Sequence, residues 1–168
     1  MRRPGTNWVE YGLEALALGL FMLMACGAGV VLFHPGSPVV SALPDPLFRR
    51  VLMGITMGLT AILNIYSPWG RRSGAHMNPA ITLTYYRLGR IAGHDALGYV
   101  AGQFLGGVSG TLVAALLLPR WIADQSVNYG VTVPGPAGAE WAFVAELAIS
   151  FGMMLTVLTL SGLSRWTR

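Results

Sequence analysis

The residues best placed to do chemistry lie together in the segment SGAHMNPA, residues 73–80. His76 lies two positions before Asn78, and Pro79 follows at once. Asn is a favoured helix N-cap, because its side-chain oxygen accepts a hydrogen bond from a free backbone N–H. Pro suits the first helical position, because it has no N–H to leave unpaired. The pattern therefore predicts a helix that begins at Asn78 after an irregular stretch of backbone.

This predicted helix is too short to cross a bilayer. It stays apolar to about Tyr86 and then meets Arg87 and Arg90. Ten residues rise about 15 Å, which is half of a hydrocarbon core of roughly 30 Å. We therefore expect a re-entrant segment, residues 73–90, whose helix starts near the membrane centre. Irregular backbone at that depth is tolerated only inside protein or beside a water-filled cavity.

Such a segment would suit the passage of a small neutral solute. The Asn78 amide and the positive end of the helix offer hydrogen-bond donors, and the same end disfavours cations. The acceptors along the descent would be the backbone carbonyls of Gly74, Ala75, His76 and Met77. Two simpler interpretations stay open. Asn78 and Pro79 start an ordinary helix in a cytoplasmic loop, or His76 is an ordinary buried histidine.

Other kinds of chemistry are weakly indicated. An intramembrane enzyme would use His76 with Glu14 or Glu146, but no nucleophile and base stand at a useful spacing. Cys26 has no base near it in the sequence. Metal-ligand spacing is lacking among His34, His76 and His94. We expect no metal, no cofactor and no enzymatic activity.

The elements that must position these residues are predicted to span a membrane. Hydrophobic residues make up 54% of the chain and charged residues 11%, whereas a soluble domain has about 25% charged residues. Four apolar runs reach the roughly 20 residues that a span requires. These runs are residues 11–33, 51–69, 96–119 and 141–163. We expect a single membrane domain over residues 1–168, embedded in a lipid bilayer.

The basic residues predict how the spans are oriented. All of them are arginines, and the net charge is +4. The arginines flank apolar runs and do not cluster with aromatic residues on one face, which fits membrane orientation better than nucleic-acid binding, so we expect no nucleic-acid partner. With alternating spans, one side receives Arg2, Arg3, Arg71, Arg72, Arg87, Arg90, Arg165 and Arg168. The other side receives Arg49, Arg50 and Arg120. The positive-inside rule then places both termini in the cytoplasm of a cell whose plasma or inner membrane holds the chain.

Glycines recur at four-residue spacing in two of the predicted spans. Gly54 and Gly58 lie in the second, and Gly102, Gly106 and Gly110 lie in the third. Small residues at this spacing let helix backbones approach closely in lipid. The simpler alternative is that glycine is common in membrane helices, and this chain has 22.

The segment SGAHMNPAIT closely resembles the first signature, roughly SGxHxNPAVT, of the major intrinsic protein family, the aquaporins and glycerol facilitators. LEALALGLFMLMACGAG resembles the first helix of that family, with Glu14 near its start. YVAGQFLGG resembles the third helix, with Gln103 in the usual place, and VAELAIS resembles the fourth, with Glu146. The resemblance covers about residues 11–163.

The resemblance implies an all-α, aquaporin-like helical bundle. The family fold has six tilted helices and two half-helices in two inverted repeats, and four such pores form a tetramer. Each repeat supplies one Asn-Pro-Ala motif, here Asn78, Pro79 and Ala80. The family's buried carboxylates, here Glu14 and Glu146, hold the pore loops so that their carbonyls face the channel. Met57 aligns with a filter position that is often aromatic in water channels, so the choice between water and glycerol stays open.

Only part of that bundle is expected in these residues: four transmembrane helices and one re-entrant half-helix. The run after Glu14 matches the run after Glu146, which is the weak internal symmetry of inverted repeats. By that symmetry a second Asn-Pro-Ala motif would fall near position 210, beyond Arg168. We expect a shortened channel polypeptide that does not form an efficient pore alone. The alternative is a non-conducting subunit that assembles with full-length relatives.

Overall fold

The described residues are helical, as the sequence predicts. A computed structural model of the chain describes the backbone of residues 7–166 and the side chains of residues 7–160. Within that range there is no β-strand. The helices are α1 (Trp8–Phe33), α2 (Pro38–Ala42), α3 (Pro46–Tyr66), α4 (Pro68–Ser73), α5 (Pro79–Arg87), α6 (Gly93–Leu117), α7 (Pro119–Ile122) and α8 (Ala139–Trp166). One 3₁₀ turn spans Asn128–Gly130.

Four of these helices, α1, α3, α6 and α8, are long and apolar enough to cross a membrane. They correspond to the four predicted spans, but α3 starts at Pro46 and ends at Tyr66, not at residues 51 and 69. The Asp45 carboxylate caps its first turn by accepting a hydrogen bond from the Leu47 amide at 2.8 Å. Pro68 ends it, because the residue before a proline avoids the helical region. Trp69 therefore belongs to α4.

The chain divides into two compact units, residues 1–131 and 132–168. In the first unit, α1 and α6 pack directly on each other through glycines. A Cβ atom added to Gly102 would collide with the carbonyl of Tyr11, and one added to Gly106 would collide with that of Ala15. Only hydrogen at these positions lets the two backbones meet, which is the close approach that small residues permit in lipid.

The other glycine row lies in open space. Apart from the adjacent residues and the nearby backbone of α3 itself, no heavy atom of the described residues lies within 4 Å of a Cβ built on Gly54 or Gly58. Close packing at these two glycines therefore stays a prediction, because no described element covers them. Most of α3 is exposed in the same way, since only 6% of its apolar window is buried.

A small apolar cluster closes the far end of α1 and α6. Its members are Cys26, Val30, Ala114, Ile122 and Val127. The Cys26 thiol donates to the carbonyl of Tyr129 at 3.6 Å, within the 3₁₀ turn. Nearby, His34 Nε2 lies 3.9 Å from Asp124 Oδ2, which links the loop after α1 to the loop after α7.

The second unit contains α8, the one helix described between residues 132 and 166. Glu146 lies on α8, and its side chain is exposed. A buried role for its carboxylate stays a prediction. The predicted side of the termini rests partly on Arg2, Arg3 and Arg168, which lie outside the described residues, and on Arg165, whose side chain is not described.

Candidate functional site

The predicted half-helix is present as α5. It spans nine residues, Pro79–Arg87, so its length is about 14 Å at 1.5 Å per residue. Asn78 is its N-cap: the side-chain Oδ1 accepts a hydrogen bond from the Ala80 amide at 2.8 Å. The Asn78 backbone is extended, with φ of −157°. A capped helix of half-membrane length therefore begins at the position that the motif indicates.

The loop before α5 has an unusual backbone. Gly74, Ala75 and Met77 have φ values of 96°, 47° and 48°. Left-handed conformations cost roughly 1–2 kcal/mol each for residues with a Cβ. When left-handed and right-handed residues alternate along the backbone, successive N–H groups point towards one side and form a concave site for an anion. A buried anion can therefore hold such a loop in place, and the protein itself supplies one.

That anion is the carboxylate of Glu14, whose side chain is fully buried on α1. Oε1 accepts from the His76 amide at 3.0 Å and from the Ser73 hydroxyl at 2.7 Å. Oε2 accepts from the Met77 amide at 2.8 Å and from Gln103 Nε2 at 2.9 Å. All four partners donate, which suits an acceptor-only carboxylate. One side chain thus anchors the loop and joins it to α6.

The carbonyls of the loop point away from this anchor. No peptide bond among the described residues is cis, and in a trans peptide the C=O points opposite to the following N–H. The His76 and Met77 amides point at Glu14, so the Ala75 and His76 carbonyls point the other way. The Ala75 amide donates to Ser73 Oγ at 3.1 Å, which turns the Gly74 carbonyl outward as well. None of the three carbonyls accepts a hydrogen bond from the described residues.

Two residues that we did not predict fix the start of the loop. The Ser73 hydroxyl both donates to Glu14 and accepts from the Ala75 amide. The Tyr99 hydroxyl on α6 donates to the Ser73 carbonyl at 2.6 Å. Ser73 opens the SGAH stretch and Tyr99 opens YVAGQ, so both lie inside the segments that carry the family resemblance.

Thr82 is the third missed residue. It is fully buried on the first turn of α5. Its Oγ1 lies 3.0 Å from His76 Nδ1 and accepts from Gln103 Nε2 at 3.0 Å. It also donates to the Asn78 carbonyl at 3.3 Å. Thr82 therefore ties the half-helix, the loop and α6 together.

Gln103 is the partner of both Glu14 and Thr82. Its side chain is fully buried, and Nε2 uses its two hydrogens on those two residues. Its Oε1 has no hydrogen-bond partner among the described residues. Gln103 therefore has a polar role that joins α6 to the carboxylate of Glu14 and to the half-helix.

A cavity of about 690 Å³ opens beside the loop. Its wall includes Gly74 and the ring of His76, with Tyr85 of α5 and Tyr99 of α6. The His76 ring centroid lies 4.9 Å from that of Tyr85 and 5.0 Å from that of Tyr99. The cavity is far larger than a water molecule, whose share of liquid volume is about 30 Å³.

The predicted site residues divide into two groups. Glu14, Gln103, Asn78 and the loop residues converge in one hydrogen-bonded assembly. Met57 is half-buried on α3 and takes no part in that assembly. Its role at a filter position stays a prediction.

Comparison with known proteins adds the family context. The family model of the major intrinsic proteins matches residues 3–166. "Putative aquaporin NIP4-1" of Arabidopsis thaliana is 32% identical over 154 residues, which cover 92% of this chain. "Aquaporin Z" of Photorhabdus laumondii is 29% identical over 87% of this chain. "Aquaglyceroporin AqpS" of Rhizobium meliloti is 31% identical over 86% of this chain.

The chain spans about half the length of the curated relatives it matches. The aligned region covers 50% of the Arabidopsis protein, 63% of the Photorhabdus protein and 56% of the Rhizobium protein. Two of these relatives are named aquaporins, one of them as putative, and the third is named an aquaglyceroporin.

Proposed function

Because this chain belongs to the major intrinsic protein family, we propose that its residues supply one half of a transmembrane pore. The solute is water or a small neutral molecule such as glycerol. The chain is an integral, multi-pass membrane protein, as its family and four apolar helices require. The family is one of channels, and the proposal assigns no enzymatic step.

The observation that carries this proposal is the anchoring of the loop by Glu14. A buried carboxylate turns the amides of His76 and Met77 inward, so the carbonyls before them are free to act as acceptors. Beside them, the capped N-terminus of α5 supplies a positive partial charge. A short row of acceptors that leads to a positive centre favours neutral hydrogen-bonding solutes over cations.

A half-pore needs a second wall. An irregular loop facing lipid would leave backbone groups unsatisfied at several kcal/mol each. We propose that a second re-entrant half-helix, inserted from the opposite side, completes the pore. It comes from the same polypeptide or from another one. In the completed channel, four pores form a tetramer, and the re-entrant segment, residues 73–90, enters the membrane from the cytoplasmic side.

Stopped-flow light scattering of proteoliposomes tests the proposal. The samples are the 168-residue chain alone, the chain with the second half of an aquaporin relative, and that pair carrying Glu14→Gln. Glu10→Gln is the matched control, because Glu10 lies one turn earlier on α1 and contacts Arg72 at the surface. We expect fast flux only from the complemented chain with Glu14 intact. Fast water flux from the chain alone would overturn the half-pore.

A second candidate is a non-conducting subunit that assembles with full-length channel relatives. The observation that favours it is the open face of α3 at Gly54 and Gly58, which is shaped for another helix. Co-purification with a full-length relative, lost on Gly58→Leu, would support this role. Monomeric behaviour in mild detergent beside such a relative would count against it.

A further inference from the structure

A second polar contact joins α1 to α6, near the starts of the two helices. Asp95 lies in the first turn of α6, and its Oδ1 accepts from the Tyr11 hydroxyl at 2.6 Å and from Asn7 Nδ2 at 3.0 Å. Only 15% of the Asp95 side chain is exposed, and Tyr11 is buried. A carboxylate only accepts hydrogen bonds, so it suits two donors, and charge-assisted bonds of this kind are strong. Asp95 therefore fixes the hydroxyl end of the Tyr11 ring.

The ring of Tyr11 lies in a gap that Gly98 leaves in α6. A Cβ atom added to Gly98 would collide with this ring. Gly98 stands four residues before Gly102 and so extends the glycine row of α6. Gly102 and Gly106 admit the backbone of α1, whereas Gly98 admits a side chain. The Tyr11 ring is thus held from two directions, by the surface of α6 at Gly98 and by Asp95 at its hydroxyl.

The held ring packs against the residue that fixes the start of the loop. The ring centroids of Tyr11 and Tyr99 are 5.8 Å apart, and the ring planes meet at 72°, an edge-to-face geometry that aromatic pairs favour. The Tyr99 hydroxyl donates to the Ser73 carbonyl at 2.6 Å, and the Ser73 hydroxyl donates to Glu14. A continuous chain of contacts therefore leads from Asp95 to the anchor of the loop.

We propose that Asp95 is a positioning residue for the re-entrant loop. It holds the Tyr11 ring in place, and the ring keeps the Tyr99 hydroxyl on the Ser73 carbonyl. Without this support Tyr99 gains room to move, and the peptide groups from Ser73 to Gly74 can turn. Asp95, Tyr99, Ser73 and Gly74 also line the cavity of about 690 Å³, so the same movement alters its wall. The consequence for solute passage rests on the proposed function, whereas the consequence for the loop does not.

A helix-end role for Asp95 predicts different results from a positioning role. A negative charge in the first turn stabilises a helix whatever it contacts. Tyr11→Phe keeps the charge and the ring and removes only the hydroxyl. Asp95→Asn removes the charge and keeps an oxygen that can accept from Tyr11, whereas Asp95→Ala removes both. If the charge alone matters, Asp95→Asn and Asp95→Ala have equal effects and Tyr11→Phe has none.

Amide hydrogen exchange of the chain in lipid nanodiscs tests the positioning role. A peptide covering residues 74–78 reports on the loop, and one covering residues 118–131 is the reference, because it lies at the far end of α6. The variants are Tyr11→Phe, Asp95→Asn and Asp95→Ala. The matched control is Tyr66→Phe, which removes a hydroxyl from an exposed tyrosine on α3. Thermal unfolding reports whether each variant is folded.

We expect Tyr11→Phe and Asp95→Ala to speed exchange of the loop peptide about fivefold, the effect of losing one hydrogen bond of about 1 kcal/mol. The reference peptide should keep its rate. Asp95→Asn should have a smaller effect, and Tyr66→Phe none. Unchanged loop exchange in Tyr11→Phe and Asp95→Ala would overturn the positioning role. Equal acceleration of the reference peptide, or equal effects of Asp95→Asn and Asp95→Ala, would overturn it too.

Water flux through the chain paired with the second half of an aquaporin relative tests the consequence for the pore separately. Tyr11→Phe should slow this flux, and Tyr66→Phe should leave it unchanged. Equal rates in Tyr11→Phe and wild type would overturn the effect on the pore. A wild-type pair without flux would overturn the proposed function, whereas loop exchange would still decide the role of Asp95.

Discussion

Helices α6 and α3 carry glycines at the same four-residue spacing, yet they behave differently. In α6, Gly102 and Gly106 lie against the backbone of α1, where no Cβ fits. In α3, Gly54 and Gly58 face open space. Of the residues in the most apolar stretch of each helix, 28% are buried in α6 and 6% in α3. The spacing therefore shows which surfaces allow close approach, and only the partner decides which surfaces are packed.

The difference also locates the site. The packed pair brings Glu14 of α1 and Gln103 of α6 within hydrogen-bond distance, and the loop before α5 closes over them. The close approach allowed by Gly102 and Gly106 is thus what lets one carboxylate reach both the loop and α6. Among the described residues, helix α3 makes no hydrogen bond to the loop.

The largest effect is expected from the centre of the packed pair. Glu14→Gln replaces an acceptor-only group by an amide, which leaves donors facing donors at the loop amides. We expect a loss of about 4 kcal/mol in unfolding free energy, in the range for breaking a buried charged network. Thermal unfolding in detergent measures the loss. Glu10→Gln, its matched control, should change the midpoint little, and an equal drop in both would break the argument.

The glycine rows can be compared directly. Gly106→Leu should destabilise the chain by about 3 kcal/mol, because the side chain overpacks the contact with Ala15. Gly58→Leu should be close to neutral, since nothing described lies near it. Urea or thermal unfolding of the two variants in the same detergent gives the difference. Equal losses would mean that α3 is packed in solution and that the contrast between the rows is wrong.

A smaller effect is expected at Thr82. Thr82→Val keeps the shape and removes the hydroxyl, so Gln103 Nε2 and His76 Nδ1 lose a partner. The cost should be about 2 kcal/mol, the range for leaving a buried polar group unsatisfied. Thr84→Val on the same helix is the control, because among the described residues the Thr84 hydroxyl bonds only to the Ala80 carbonyl, at 2.9 Å. If the Thr82 variant is as stable as the Thr84 variant, the Thr82 hydroxyl does not stabilise the network.

The smallest effect is expected in the loops outside the packed pair. Hydrogen bonds from the Ser126 hydroxyl and amide, with His34 nearby, hold the pKa of the Asp124 carboxyl below its usual range. A lowered pKa in the folded state gives stability that is present above the ordinary value and lost as pH falls through the lowered one. Asp124→Asn should therefore lower the unfolding temperature slightly at pH 7, and the gap should close in acid. A difference in unfolding temperature that grows at acid pH would contradict the lowered pKa of Asp124.

The sequence predicted the parts of the site that local patterns encode. Asn78 and Pro79 marked the start of α5, because capping depends on residues that are adjacent in the chain. The spans followed from composition. Ser73, Thr82 and Tyr99 were missed although they lie in the segments that carried the resemblance. Their partners are up to 59 residues away for Ser73 and 26 for Tyr99, and a hydroxyl gives no periodic signal that points to such a partner.

The break between α3 and α4 was also missed. Apolar residues continue through Trp69, so a hydropathy window does not detect the end of α3. Ser67 and Pro68 do mark that end, Ser67 as a capping residue and Pro68 by restricting the backbone of the residue before it. The two glycine rows were indistinguishable in sequence, because spacing carries no information about what lies opposite. Long-range contacts thus account for most of what the sequence did not reveal.

Amide hydrogen exchange of the loop tests the central claim most directly. The chain is reconstituted in lipid nanodiscs, and a peptide covering residues 74–78 is followed by mass spectrometry in wild type, Glu14→Gln and Glu10→Gln. If the Glu14 carboxylate holds the loop, the amides of His76 and Met77 exchange slowly in wild type and in Glu10→Gln, and quickly in Glu14→Gln. Fast exchange in wild type, or slow exchange that persists in Glu14→Gln, would contradict the account.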